Sequence, residues 1–316
     1  MTVARRRVVL LAAALSVSVA CGGSTPSAAV PDAAKPLPKL YPDELVPADL
    51  DLVVRVDLAE ARATLGDRMP AVSGVAGGAV PLGLLAPSAD AEDPVAVAVL
   101  RTASAVIVAR RIRHLVEGDG VLVAEGAKLD PPAGFREAAS PRPGARVYLR
   151  ESDAPRSGVQ AVVFLDDRAI ALVSPVEVDA VLRILARGPD DARGRPAADG
   201  LVTADVRPGP LPAAYEKRYR NVAALIARVS RLKLKLAVEE ASLGLDATLV
   251  SQDDDGADAL ARFFATVATN VPDSPLGRVL GSVQQNRVGP VVHLRLRAPL
   301  ELVAQLLDRP AAPSSP

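Results

Sequence analysis

The sequence predicts an α+β fold: mainly antiparallel sheets built from hairpins, with amphipathic helices packed on one face. Three observations predict it. Short apolar strands recur, each followed by a Pro or Asp break and then by an amphipathic stretch. Between these units lie paired strand-like runs joined by tight turns, a connection open only to antiparallel neighbours. The spacing of the units is irregular, which excludes a solenoid of fixed period. Strands that alternate with helices, yet join through hairpins, favour helices layered on an antiparallel sheet.

In chain order, "DLVVRVDLAEARATLG" from Asp51 is the first strand–helix unit. Asp93-Pro94 begins the next helix, a start signal in which Pro occupies the first turn. "SAVIVARRIRHLVEGDGVLVAEG" follows as a hairpin turning at Glu117–Gly120. "VQAVVFLDDRAIALV" is apolar on both faces around Asp166-Asp167, the pattern of a hairpin buried on both sides in mid-sheet. Ser174 caps and Pro175 opens a helix with Val178, Val181, Leu182 and Leu185 on one face. "LVTADVRPGPLPAAYEKRYRNVAALIARVS" gives a strand and then a stripe of Tyr215, Tyr219, Val222, Ile226 and Val229. In "LKLKLAVEEASLGLDATLV", leucines alternate with charges, and a turn at Glu240-Ala241 pairs Leu236 with Leu245 and Lys235 with Asp246. The helix "GADALARFFATVA" presents Leu260, Phe263, Phe264 and Val267. "VVHLRLRAPLELVAQLL" closes the set, with Leu302, Val303, Leu306 and Leu307 inward.

The flanks read differently. Residues 1–20 form a removable signal, and residues 21–47 are a Pro, Ala and Ser-rich tether whose composition cannot offset its ordering entropy. The body then divides at "GPDDARGRPAADG" into two similar halves, residues 48–190 and 200–308, and residues 309–316 are a disordered tail. Without its first 20 residues the chain carries a net charge of about −3, which opposes a nucleic-acid surface. Aromatic residues are 3% of the chain and tryptophan is absent, which opposes stacking platforms and aromatic cages.

The N-terminus carries the one label-like stretch, "RRRVVLLAAALSVSVACGG". Arg5, Arg6 and Arg7 precede an apolar run, Val8 to Ala20, that is too short to span a bilayer. A basic start, an apolar middle and a small-residue exit are the parts of a secretory signal. Ser18-Val19-Ala20-Cys21 resembles the lipobox of bacterial lipoproteins, departing from it at Ser18, where that family favours Leu. The resemblance implies a diacylglyceryl thioether at Cys21, cleavage before Cys21 and acylation of the new amine. Cys21 is the only cysteine, so no internal disulfide can form, and lipidation would consume the one thiol. Acyl chains, each adding about 0.8 kcal/mol per buried methylene, would hold the protein on a membrane. Gly22 is not the Asp that resembles an inner-membrane retention signal, so the expected address is the outer membrane.

Catalytic chemistry is poorly represented. There is no Gly-x-Ser-x-Gly, and the two histidines, His114 and His293, each fall in an expected strand among alternating residues. Ser230 to Lys233 has Ser-x-x-Lys spacing but lacks the companion Lys-Thr-Gly and Ser-Asp-Asn motifs. Asp253 to Asp258, "DDDGAD", lacks the order of a calcium loop and reads as acids at a helix start. Glycines in "AVSGVAGGAVPLGLLAPS", residues 71–88, lack phosphate-loop spacing. No catalytic residue, metal ligand or cofactor is expected, and no small-molecule substrate is identifiable. The expectation is a non-enzymatic envelope module, lipidated at Cys21, with a membrane and an envelope protein as its partners. The alternative is a carrier of an apolar ligand gated by residues 71–88, since exposed apolar segments mark binding sites.

Overall fold

The structure is a computed structural model that describes residues 37, 39–65, 93–114, 119–153, 158–189, 196–209, 211, 216–217, 220–270 and 275–302. Its first part runs β1 (Leu52–Asp57), α1 (Leu58–Leu65), α2 (Pro94–Thr102), β2 (Ala105–Arg110), β3 (Gly120–Glu125), β4 (Phe135–Ala138), β5 (Ala145–Arg150), β6 (Ala161–Leu165), β7 (Ala169–Val173) and α3 (Val178–Arg187). Then follow β8 (Val202–Val206), α4 (Arg220–Ile226), β9 (Val229–Glu239), β10 (Ser242–Ser251), α5 (Asp254–Thr269), α6 (Pro275–Gly281), β11 (Gln284–Val288) and β12 (Val291–Pro299). The strands make one 12-stranded sheet in the order β11-β12-β10-β9-β8-β1-β2-β3-β7-β6-β5-β4. Every neighbouring pair is antiparallel. The fold is α+β.

Local chemistry starts several elements where the sequence places them. The Asp93 carboxylate accepts the Val95 N–H at 3.0 Å and Pro94 fills the first turn of α2. Asp253 does the same for α5, accepting the Gly256 N–H at 2.7 Å. The hairpin β9–β10 turns at Glu240-Ala241 with Leu236 opposite Leu245 and Lys235 opposite Asp246. Glu240 takes the left-handed conformation, φ 55°, that this turn demands. The β6–β7 hairpin turns after Leu165, and all ten of its strand residues are buried. Gly120 opens β3 with a φ of 156°, and a Cβ there would lie 2.1 Å from the Ala109 carbonyl oxygen, so only glycine fits.

Cross-strand partners share a face, so rows of residues can be followed across the sheet. On the front face one row reads Tyr148, Val162, Leu172, Leu122, Val108, Val54, Ala204, Leu234, Ala247, Leu294. It is apolar from β5 to β12. Leu58 at the start of α1, with Val95, Val99 and Leu100 of α2, covers its first part. Leu225 of α4 and Ala257, Leu260 and Phe264 of α5 cover its second. On the back face a row begins Val147, Val163, Ala171, Val123, Ile107 and then changes to Arg55, Thr203, Lys235, Asp246, Arg295. The apolar part is covered by Val181, Ile184 and Leu185 of α3 together with Leu40, Leu45, Val46 and Leu50.

Several expectations change. Helices do not keep to one face: α3 packs on the back of the sheet, because β3, β6 and β7 are apolar on both faces and need two covering layers. The stretch from Leu40 to Val46 belongs to the core and not to a tether, with Leu40 2%, Leu45 0% and Val46 8% exposed. Arg168 and Arg207 fasten it, donating to the carbonyl oxygens of Leu40 and Ala48 at 3.2 and 3.3 Å. Ser174 sits at the helix start without capping it, because its hydroxyl accepts the Gly120 N–H at 2.9 Å. A 3-10 turn, Pro175–Glu177, leads into α3 instead. The helix of the Tyr215 stripe ends at Ile226, and Val229 is the first residue of β9. Tyr215 and Tyr219 lie outside the described residues, as do Val303, Leu306 and Leu307.

Candidate functional site

The back face of β8–β12 is the part of the sheet that none of the apolar clusters reaches. Its side chains form a ladder of opposite charges drawn from four strands and a loop. Arg231 of β9 grips Asp205 of β8 through both ends of its guanidinium, at 3.0 and 2.5 Å. Lys235 of β9 donates to Asp199 at 2.5 Å. Glu239 of β9 receives Arg297 of β12 at 2.6 Å and Arg295 at 3.9 Å, and Arg295 also lies 3.6 Å from Asp246 of β10. Lys233 stands between Asp205 and Thr248 in the register, and the Thr248 hydroxyl lies 3.3 Å from Nδ1 of His293.

Electrostatics follow the geometry. The hydrogen bond from Lys235 holds the Asp199 carboxyl below the ordinary carboxylate range. The hydrogen bond to Asp205 raises Arg231, against the opposing effect of burial. The exposed pairs, Lys235–Asp199 and Arg297–Glu239, contribute little to stability, whereas Asp205 is buried beside Arg231. A face built this way offers donors and acceptors to a partner at little cost to the fold.

A second polar cluster lies away from these strands, around the start of β1 and the end of β2, and fastens the fold. Glu177 is fully buried and receives Arg111 at 2.7 and 3.1 Å; Arg111 also reaches Asp49 at 2.7 Å. Hydrogen bonding to Glu177, first of its causes, pushes the Arg111 guanidinium above its usual value. The Asp51 carboxylate accepts the Ile112 N–H at 3.1 Å. Arg110, 3% exposed, is pushed down to about 10 by burial, with Asp119 opposing the shift. These groups tie residues 49–51, the end of β2 and the entry to α3 together. An open recess beside the end of β12 is lined by Arg278, Ser282, Arg297 and Glu301.

The residues singled out by sequence do not converge. His293 lies exposed in β12, where a strand was expected. His114 ends a 3-10 turn, Ile112–His114, and not a strand, because Ile112 turns into the core and breaks the alternation. Ser230 is the extra residue of a β-bulge, and its hydroxyl donates to the Val250 carbonyl oxygen at 3.0 Å. Asp253 to Asp258 serve the start of α5, with Asp254 and Asp258 paired to Arg287 at 3.3 and 2.9 Å. Among the described residues no three His, Cys, Asp or Glu side chains gather as a metal site. Among them, too, no helix is long and apolar enough to cross a membrane. Cys21 and residues 71–88 lie outside the described residues. Sequence reasoning missed Asp199, Asp205, Arg295 and Arg297 as one surface; the alternation of charge in β9 and β12 was the available signal.

No protein-family model matches the chain, and no curated protein sequence matches it. Among solved structures, crystal form I of TP0453 is similar with a TM-score of 0.47 and 12% identity, over 84% of this chain and 96% of that one. Crystal form III gives a TM-score of 0.42 over 84% and 97%, and crystal form IV 0.43 over 85% and 97%, each at 12% identity. Likeness of that degree assigns no function.

Proposed function

We propose that the chain is a lipid-anchored protein of a bacterial cell envelope whose body is a non-enzymatic binding or structural module. The observation that carries this reading is the sole cysteine, Cys21, standing directly after a basic and apolar export-type segment and Ser18-Val19-Ala20. Cys21 is the lipidated residue, the outer membrane is the address, and a protein of the envelope is the partner. The ladder of ion pairs on the back face supports the second half of the reading. Its carboxylates are matched to arginine and lysine, so they are held as docking groups and not poised as acids or bases.

The test is fractionation of cells that express the full chain and its Cys21→Ser variant. The parent should remain with membranes and yield an N-terminal peptide beginning at an acylated Cys21. The variant should move to the soluble fraction. A variant that stays with membranes, or a parent found with its first 20 residues attached, would overturn the anchor. Turnover of any substrate by the purified body would overturn the non-enzymatic reading.

A further inference from the structure

The sheet ends on two strands, β4 and β11, and the two edges are built differently. β4 has four residues, carries Arg136 and Glu137, and is bracketed by Pro131-Pro132 and Pro141. Short length, charge and proline are the usual means of keeping an edge from pairing. β11 reads Gln-Gln-Asn-Arg-Val with all five residues exposed and no proline, lysine or bulge. Val288 at its end is 62% exposed.

The hairpin fixes which backbone groups face outward. Val288 and Val291 flank the two-residue turn Gly289-Pro290, with Gly289 at φ 57°. The pair that closes such a turn is hydrogen-bonded, and hydrogen-bonded and open pairs then alternate. Gln284, Asn286 and Val288 therefore turn their N–H and C=O groups toward β12. Gln285 and Arg287 turn theirs outward.

We propose that this edge pairs with the same edge of a second copy of the chain, antiparallel about a two-fold axis through Asn286. That register sets Gln285 of each copy against Arg287 of the other, so outward groups meet outward groups and four backbone hydrogen bonds form. An axis through Arg287 would set Gln285 against Gly289, a turn residue beyond the end of β11. An axis through Gln285 would call on Val283, whose N–H already donates to Leu280 at 3.2 Å. Axes between residues would oppose outward to inward groups. Charge also favours the Asn286 register: Arg287 is already matched by Asp254 and Asp258, so the seam holds amides and neutralised ions.

A two-fold axis perpendicular to the sheet keeps front with front and back with back. The back-face ladders of the two copies become one surface. Leu40, Leu45 and Leu50 pack on the back face of each copy, so these residues of both copies lie on one side of the joined sheet.

The experiment uses the full chain with Cys21→Ser, which is unacylated and free of cysteine. Sedimentation velocity over a concentration series should show a monomer–dimer equilibrium. Asn286→Cys in that background should give a disulfide-linked dimer on mild oxidation, because an open pair on the axis brings its Cα atoms within about 4.5 Å. Gln284→Cys should not link to itself, since the register holds the two copies of that residue about 13 Å apart along the strands. Gln285→Pro, which removes an outward N–H and leaves the ladder to β12 intact, should sediment as a monomer. Asn286→Lys, at an exposed position that any side chain can occupy, should do the same. A chain that is monomeric throughout, linkage of Gln284→Cys as fast as Asn286→Cys, or dimers that survive Asn286→Lys would each overturn the proposal. The anchor is untouched by any of these results, because no acyl chain is present.

Discussion

Replacing Leu45 by alanine asks where the folded body begins. Leu45 ends the 3-10 turn Pro42–Leu45, is 0% exposed, and lies in the cluster of Val53, Ile107, Val123, Ile184 and Leu185 on the back face. The substitution removes three buried carbons, worth about 0.8 kcal/mol each in transfer free energy, or about 2.4 kcal/mol. A cavity term adds to this where neighbours cannot close in, and strands fixed by hydrogen bonds on both sides close in poorly. The expected loss is about 3 kcal/mol. Urea unfolding of the unacylated chain, followed by circular dichroism, measures it as a lower midpoint at unchanged slope. Val176→Ala is the control, because Val176 is 48% exposed and its loss should stay within about 0.5 kcal/mol. Equal losses at the two positions would refute the reasoning and return residues 40–47 to the tether.

Arg111→Met should cost about 3–5 kcal/mol in the same assay, because it strands the fully buried Glu177 without its guanidinium. The double variant Arg111→Met/Glu177→Leu should recover most of that loss; no recovery would mean that the damage lies elsewhere. Glu240→Gly should raise stability by about 0.5–1 kcal/mol, since the residue holds φ 55° at a cost that glycine does not carry. A lower melting temperature would contradict this. Asp253→Ala should cost about 1 kcal/mol by freeing the Gly256 N–H at the start of α5, read as a lower melting temperature.

What the sequence discloses follows the range of the interaction. Within β9–β10 the register is written in adjacent residues: Leu236 must meet Leu245 for one face to be apolar, and Lys235 then meets Asp246. The doubly apolar runs of β6 and β7 announce mid-sheet burial for the same reason. Strand order is different. Nothing local tells β1 to lie between β2 and β8, or β3 to lie beside β7, because those pairings are chosen by competition among strands of similar character. The segment from Leu40 to Leu50 was hidden by its prolines, although its buried leucines recur at intervals of five. Ser174 shows the limit of a correct local rule. Its position suits a cap, but a buried N–H from Gly120, 54 residues away, takes the hydroxyl. β11 gave no strand signal at all, since an edge strand with both faces exposed has no apolar alternation to display.

The polar character of the back face of β8–β12 is specified by its own residues. Along one register the sheet passes from Ile107 on β2 to Arg55 on β1 and stays polar to Gln284 on β11. An apolar helix laid over Arg55, Lys235, Asp246 and Arg295 would strip water from four charges, at several kcal/mol per ion before any pairing is counted. The front of the same strands shows the opposite choice, with Ala247, Leu249 and Val292 buried under α5. The two faces of β8, β9, β10 and β12 therefore carry opposite instructions, one to pack apolar side chains and one to hold charge. A surface rich in matched charges and set on a hydrogen-bonded sheet is pre-organised for a polar partner, because its side chains are already held in place before that partner arrives.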